Sequence, residues 1–222
     1  MYLLKSQLYF PPVEDTHSSG IIAFGGDLSV ERLLLAYKNG IFPWYDDSEP
    51  ITWWCPEYRM VVIPSEYKPS KSLRNIINRG IFKVTFNQNF EQVIKNCQTI
   101  KRNGQDGTWI NDEIVEAYTK LHQLGFAKSV EVWQNDALVG GLYGVDLGNK
   151  IFCGESMFSK VSNASKVAFA WLNNYLKQEN YLLLDCQVYN EHLERLGAFE
   201  IEREVFMEIL RYCNQNSPQV LI

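Results

Sequence analysis

The 222-residue sequence contains no apolar run near the roughly 20 residues that cross a bilayer. Its first ten residues, Met1–Phe10, carry one lysine and no long apolar core, unlike a signal peptide. No membrane is therefore read, and the cytoplasm is expected. Basic charge is also scarce: 21 Lys and Arg face 26 Asp and Glu, a net charge of −5. Nucleic-acid binders usually show a basic field, so any contact with RNA is expected to involve a small part of it through a local patch. Lys68, Lys71, Arg74 and Arg79 cluster in one stretch and Lys101–Arg102 form a second; the ordinary reading of both is a solvated face. The five cysteines (Cys55, Cys97, Cys153, Cys186 and Cys213) are odd in number and form no C-x-x-C. That argues against a disulfide framework and a zinc ribbon. His17, His122 and His192 are far apart, so no metal site is expected. Gly25-Gly26 belongs to neither a G-x-G-x-x-G nor a G-K-S/T phosphate loop.

Aromatic residues are plentiful. Trp44, Trp53 and Trp54 fall within eleven positions, too many for one small core. Some are expected to wall a cleft, since such rings stack on single-stranded RNA ends; the alternative is a plain aromatic core. Residues 1–64 read as a small unit of their own. A helix is expected over Val30–Asn39 and stopped by Gly40, and a strand over Met60–Ile63. The larger unit, 65–222, reads as helices over Ser70–Arg79, Asn89–Cys97 and Glu113–Leu124, then a hairpin of Ser129–Trp133 with Ala137–Val145. Thr99–Gly107 reads as a loop, and Gly140-Gly141 as a bulge or a close approach of backbone to ligand.

The chain is organised around residues 151–190. A strand from Ile151 leads to Gly154 and Glu155; Ser162 or Asn163 caps a helix over Ala164–Gln178; a buried strand, Tyr181–Leu184, then ends in Asp185-Cys186-Gln187. Alternation puts Asp185 and Gln187 on one face and Cys186 on the other. A carboxylate and an amide at the end of a buried strand need partners: they are either a satisfied structural pair or a site. Cys186 reads as a buried structural thiol.

Ten short stretches, in order, resemble the leucyl/phenylalanyl-tRNA–protein transferase family. They include G-G-D-L-S (Gly25–Ser29), A-Y-K-N-G-I-F-P-W (Ala36–Trp44), W-W-C-P-E-Y-R (Trp53–Arg59), T-W-I (Thr108–Ile110), G-E-S-M-F-S (Gly154–Ser159), N-A-S-K (Asn163–Lys166) and D-C-Q (Asp185–Gln187). The resemblance implies transfer of Leu or Phe from the 3′ end of an aminoacyl-tRNA to the α-amine of proteins with N-terminal Arg or Lys, marking them for degradation. It implies no metal and no diffusible cofactor, and a monomer is expected. It also implies that Trp44 and Trp109 contact the terminal adenosine or its ester, with Tyr37 and Tyr118 in support. Asp185 would act on the incoming amine as orienting acceptor or as base; Gln187 would bind the developing oxyanion or help relay the proton. Glu155 would pair with the basic acceptor side chain, or else cap a helix or loop. Leu142, Phe152, Met157 and Leu184, on strands flanking the site, are the candidate walls of the donor pocket. Cys55 and Leu142 depart from the family, which usually has Ser and often Met there; the second change leaves the Leu or Phe preference open.

From about residue 113 the order is helix, antiparallel hairpin, strand, helix, strand, helix, strand, the order of the acyltransferase fold of acetyl-CoA N-acetyltransferases. The expected class is α+β: a small N-terminal domain followed by a GNAT-like α/β domain with a mixed sheet. Those acetyltransferases grip pyrophosphate on a Gly-rich loop before the central helix; Lys160–Lys166 contains no glycine, which favours another donor. An N-acetyltransferase with unusual cofactor contacts and a noncatalytic binder of basic N-termini are the competing readings. The short polar tail after Ile209 is expected to be disordered.

Overall fold

The computed structural model describes residues 2–100 and 108–217. In chain order the strands are β1 (Tyr2–Leu4), β2 (Ile21–Gly25), β3 (Phe42–Pro43), β4 (Thr52–Trp54), β5 (Tyr58–Val62), β6 (Lys83–Phe86), β7 (Ala127–Gln134), β8 (Ala137–Asp146), β9 (Ile151–Ser159), β10 (Leu183–Gln187) and β11 (Phe199–Glu202). The helices are α1 (Val30–Lys38), α2 (Lys71–Asn78), α3 (Phe90–Thr99), α4 (Asp112–Gln123), α5 (Ala164–Gln178), α6 (Glu191–Glu194) and α7 (Arg203–Gln215). The protein is α+β. A four-stranded sheet, β1-β2-β4-β3, stands beside a seven-stranded mixed sheet, β11-β5-β10-β9-β8-β7-β6. The latter holds the hairpin and the parallel β9/β10 pair joined by α5 that the acyltransferase order requires.

Local chemistry explains the main elements. Ser70 caps α2 by accepting from the Leu73 amide at 3.2 Å, and Asn111 caps α4 by accepting from Ile114 at 2.9 Å. On α5, Val167, Ala168, Leu172 and Leu176 recur at helical spacing and are buried against the sheet. Asn163 enters that helix at φ 69°, with no side-chain cap. Gly140 serves packing: a Cβ there would lie 2.5 Å from that of Ala164, so the glycine lets α5 start against β8. Of the two readings of Gly140-Gly141, the bulge is present beside Gly140, where the β7/β8 register slips, and the close backbone approach is to a helix.

Three expectations about extent need correction. A division at residue 64 puts the strand near Met60 in the N-terminal unit, but β5 pairs with β10 and β11, so the small sheet ends at Trp54. The segment after β11 is a thirteen-residue helix, α7, that buries Phe206, Leu210 and Cys213 on one stripe; residues beyond Ile209 are helical as far as Gln215. Thr99 closes α3 instead of opening a loop. Residues 101–107 of that loop, Lys101–Arg102 among them, and the final residues 218–222 lie outside the described residues. Among the described residues no helix is long and apolar enough to cross a membrane.

Candidate active site

β9 and β10 run parallel only from Ile151 to Cys153 against Leu183 to Asp185. Beyond that register the strands separate, and β9 pairs with β8 alone. A cavity of about 830 Å³ opens at the separation. Glu155 and Gln187 each sit two residues past the last paired position and meet across the gap, where Gln187 Nε2 donates to Glu155 Oε1 at 2.9 Å.

Gln187 reaches the cavity through an irregularity. β10 slips register against β5 between Asp185 and Gln187, and Gln187 takes φ 67°, a left-handed conformation unusual for a residue with a side chain. Leu184, Cys186 and Gln187 line the cavity; Asp185 does not. Simple alternation, which placed Asp185 beside Gln187, fails here because the bulge turns only the latter toward the opening. Asp185 is wholly buried and clasped by Arg59: Nε donates to Oδ1 at 2.8 Å and Nη2 to Oδ2 at 2.7 Å. Arg59 Nη1 donates to the Gly40 carbonyl at 3.0 Å, and the guanidinium lies between the rings of Phe42 and Phe206, 4.7 and 4.6 Å from their centroids. Burial works against the Arg59 charge, but Asp185 outweighs it and raises the Arg59 pKa. Asp185 Oδ1 also accepts the Gln187 amide N–H at 2.9 Å. The carboxylate is thus enclosed by protein donors, with no oxygen turned to a substrate.

Glu155 is built differently. Tyr37 donates to Oε1 at 2.8 Å, the Tyr118 hydroxyl lies 3.4 Å from Oε2, and the two hydroxyls hydrogen-bond to each other. Three contacts join these groups, yet two hydroxyls supply only two protons; a proton on Glu155 supplies the third and closes the ring. Burial is the main reason the Glu155 carboxyl is pushed up to about 8, with the Asp185 charge adding to it and the two tyrosines and Arg59 opposing. Tyr37 and Tyr118 themselves stand well above the usual phenol range, first through burial.

Seven of the residues singled out in the sequence line the cavity: Trp44, Trp109, Leu142, Glu155, Met157, Leu184 and Gln187. Trp44, 39% exposed, forms its rim, with its ring 5.2 Å from that of Trp54, while Trp53 is fully buried. Four others do not line it. Asp185 pairs with Arg59; Tyr37 and Tyr118 hold Glu155 from behind; Phe152 packs into the core against the bare Cα of Gly144. Burial pushes the Cys186 thiol up, as befits a structural cysteine. Lys68, Lys71, Arg74 and Arg79 are exposed and away from the cavity. Among the described residues no three His, Cys, Asp or Glu side chains gather as a metal site. Arg59 had no assigned role. The available signal was a cation heading the apolar run Met60-Val61-Val62, which must find an anion if it is buried.

The chain matches the family model described as leucyl/phenylalanyl-tRNA protein transferase over residues 61–211, and the model of that family's N-terminal domain over residues 26–57. It is 64% identical to the leucyl/phenylalanyl-tRNA–protein transferase of Flavobacterium johnsoniae across 95% of this chain and 99% of that one. It is 58% identical to the protein of the same name from Flavobacterium psychrophilum, across 95% of this chain and all of that one. Among solved structures, L-PGS from Bacillus licheniformis is 12% identical with a TM-score of 0.44, covering 88% of this chain and 74% of that one.

Proposed function

The chain belongs to the leucyl/phenylalanyl-tRNA–protein transferase family and has that transferase activity; we propose that the reaction takes place where β9 and β10 part, with Glu155 and Gln187 as its polar groups. The family match over nearly the whole chain carries the activity. The observation that supports the location is the Glu155–Gln187 bond at the floor of a cavity whose rim is tryptophan.

The transfer balances simply. The acceptor nitrogen attacks the ester carbonyl carbon, an N–C bond forms, and the bond from that carbon to the ribose oxygen breaks. One proton leaves the nitrogen and one reaches the departing ribose oxygen. An α-amine with a pKa of roughly 7.7–8.0 is partly neutral at physiological pH, so positioning and proton handling are the main demands on the protein. Gln187 spends its amide N–H on Glu155, leaving its carbonyl oxygen to accept from the amine and aim its lone pair. Glu155, a neutral carboxyl, gives its proton to the ribose oxygen and recovers one from the nitrogen. Both its oxygens are already engaged, so this role suits it better than pairing with the acceptor's side chain.

Trp44 and Trp109 hold the terminal adenosine, and Leu142, Met157 and Leu184 form the apolar wall for the donor side chain. The acceptors are proteins with N-terminal Arg or Lys, and the protein works in the cytoplasm as a monomer without metal or cofactor. The test is to incubate the protein with radiolabelled leucyl-tRNA and a peptide beginning with Arg. Label should enter the peptide and be lost when its α-amine is blocked. Label from acetyl-CoA instead would overturn the reading.

A further inference from the structure

The transfer chemistry leaves one large buried group unused. Arg59 is 2% exposed and touches three separate parts of the molecule. Asp185 on β10 takes two of its N–H groups, the Gly40 carbonyl after α1 takes a third, and Phe42 and Phe206 cover its two faces. Phe42 belongs to the small sheet and also lines the cavity, next to Pro43 and Trp44; Phe206 belongs to α7. Asp185 passes the constraint on, since the oxygen that accepts Arg59 Nε also accepts the Gln187 amide N–H. That bond braces a left-handed backbone that would otherwise relax at a residue with a Cβ.

We propose that Arg59 is a positioning residue for transfer: through the Asp185 clasp it holds the Gln187 backbone turned toward Glu155, and through Gly40 and Phe42 it fixes the tryptophan-bearing rim over the same point. The inference rests on the transferase reading and on Gln187 acting at the cavity. Asp185 is then an anchor, and it takes no proton from the amine. The fork geometry matters as much as the charge, because a lysine ammonium cannot make two parallel bonds to the carboxylate and a third to Gly40 in the same plane.

The experiment compares wild type, Arg59→Lys, Asp185→Asn and the double variant, each normalised to folded protein by near-UV circular dichroism. Transfer is measured from leucyl-tRNA to an Arg-initiated peptide, with kcat and KM determined for both substrates. The wild type is assayed first; no transfer by it overturns the transferase reading itself. Given wild-type transfer, Arg59→Lys should lower kcat about 100-fold, the effect of a displacement of about 1 Å at a reacting group, with both KM values within about twofold. Asp185→Asn should match it, and the double variant should lose no more than either single one, as expected of groups acting as a unit. A wild-type kcat in folded Arg59→Lys would overturn the inference. So would multiplied losses in the double variant, which would give Asp185 a separate part in the chemistry. Should Arg59→Lys fail to fold, Phe206→Leu removes one ring from the guanidinium, away from the cavity. Its kcat should fall about threefold to tenfold at unchanged KM, and an unchanged kcat would equally overturn the inference.

Discussion

Two buried carboxyls, Asp185 and Glu155, lie one strand apart and are built in opposite ways. Asp185 has a cation on both oxygens and no opening; Glu155 has two hydroxyls and an amide, no cation in contact among the described residues, and a cavity in front of it. A carboxylate clasped on both oxygens by a guanidinium is fixed in place, which makes a good anchor. A carboxyl kept neutral by burial, near the pKa of the amine it meets, can both give and take a proton at physiological pH. In the proposed reading the two environments divide the work between frame and chemistry, although sequence position alone makes the residues look alike.

The largest effect that can break this comparison is expected from Glu155→Gln, which keeps shape and removes the titrating proton. Transfer should fall about 1,000-fold with little change in KM, measured in single turnover; loss through KM alone would return Glu155 to substrate pairing. The same variant sharpens the comparison through stability. The Glu155 carboxyl is pushed up to about 8 in the folded protein, above the ordinary 4.5. Its protonated folded form therefore contributes stability that is fully present below about 4.5 and lost as pH rises through about 8. Between pH 5 and 9, wild type should lose thermal stability relative to Glu155→Gln.

Next comes Arg59→Ala, which leaves Asp185 buried without its partner and should destabilise the protein by about 3–5 kcal/mol in denaturant unfolding. Trp109→Ala should raise the KM for leucyl-tRNA about tenfold and change kcat little, as expected when one stacking surface is lost. Tyr118→Phe opens the proton ring around Glu155 and should lower kcat about fivefold. The smallest effect is a control: Ser70→Ala removes the α2 cap, should cost about 1 kcal/mol of stability, and should leave transfer intact.

Much of the architecture was legible because it is local. The periodicity of α5 fixes its span, the Asn135-Asp136 turn fixes the β7/β8 hairpin, and Gly40 marks the end of α1. Leu142, Met157 and Leu184, named because they lie on strands flanking the site, do line the cavity. What escaped is non-local or irregular. Arg59 and Asp185 are 126 residues apart, and no spacing rule joins them. The direction of Asp185 was misread because alternation assumes a regular strand, and β10 bulges at the residue that matters. Phe152 looked like a pocket wall because it flanks Gly154; its ring instead fills the space left by Gly144 on the next strand. The α7 stripe of Phe206, Leu210 and Cys213 was present in the sequence, but two of its three members lie beyond Ile209, in the stretch read as a polar tail.

The most direct test of the division of labour is a carboxyl-carbon NMR titration of ¹³C-Glu-labelled protein, with Glu155→Gln identifying the resonance. The Glu155 signal should titrate near 8, and it should move toward higher pH in Tyr37→Phe, since the Tyr37 hydrogen bond opposes the upward push of burial. Titration of Glu155 near 4.5 in the wild type would mean an ionised carboxylate at neutral pH, and would contradict the assignment of proton transfer to that residue.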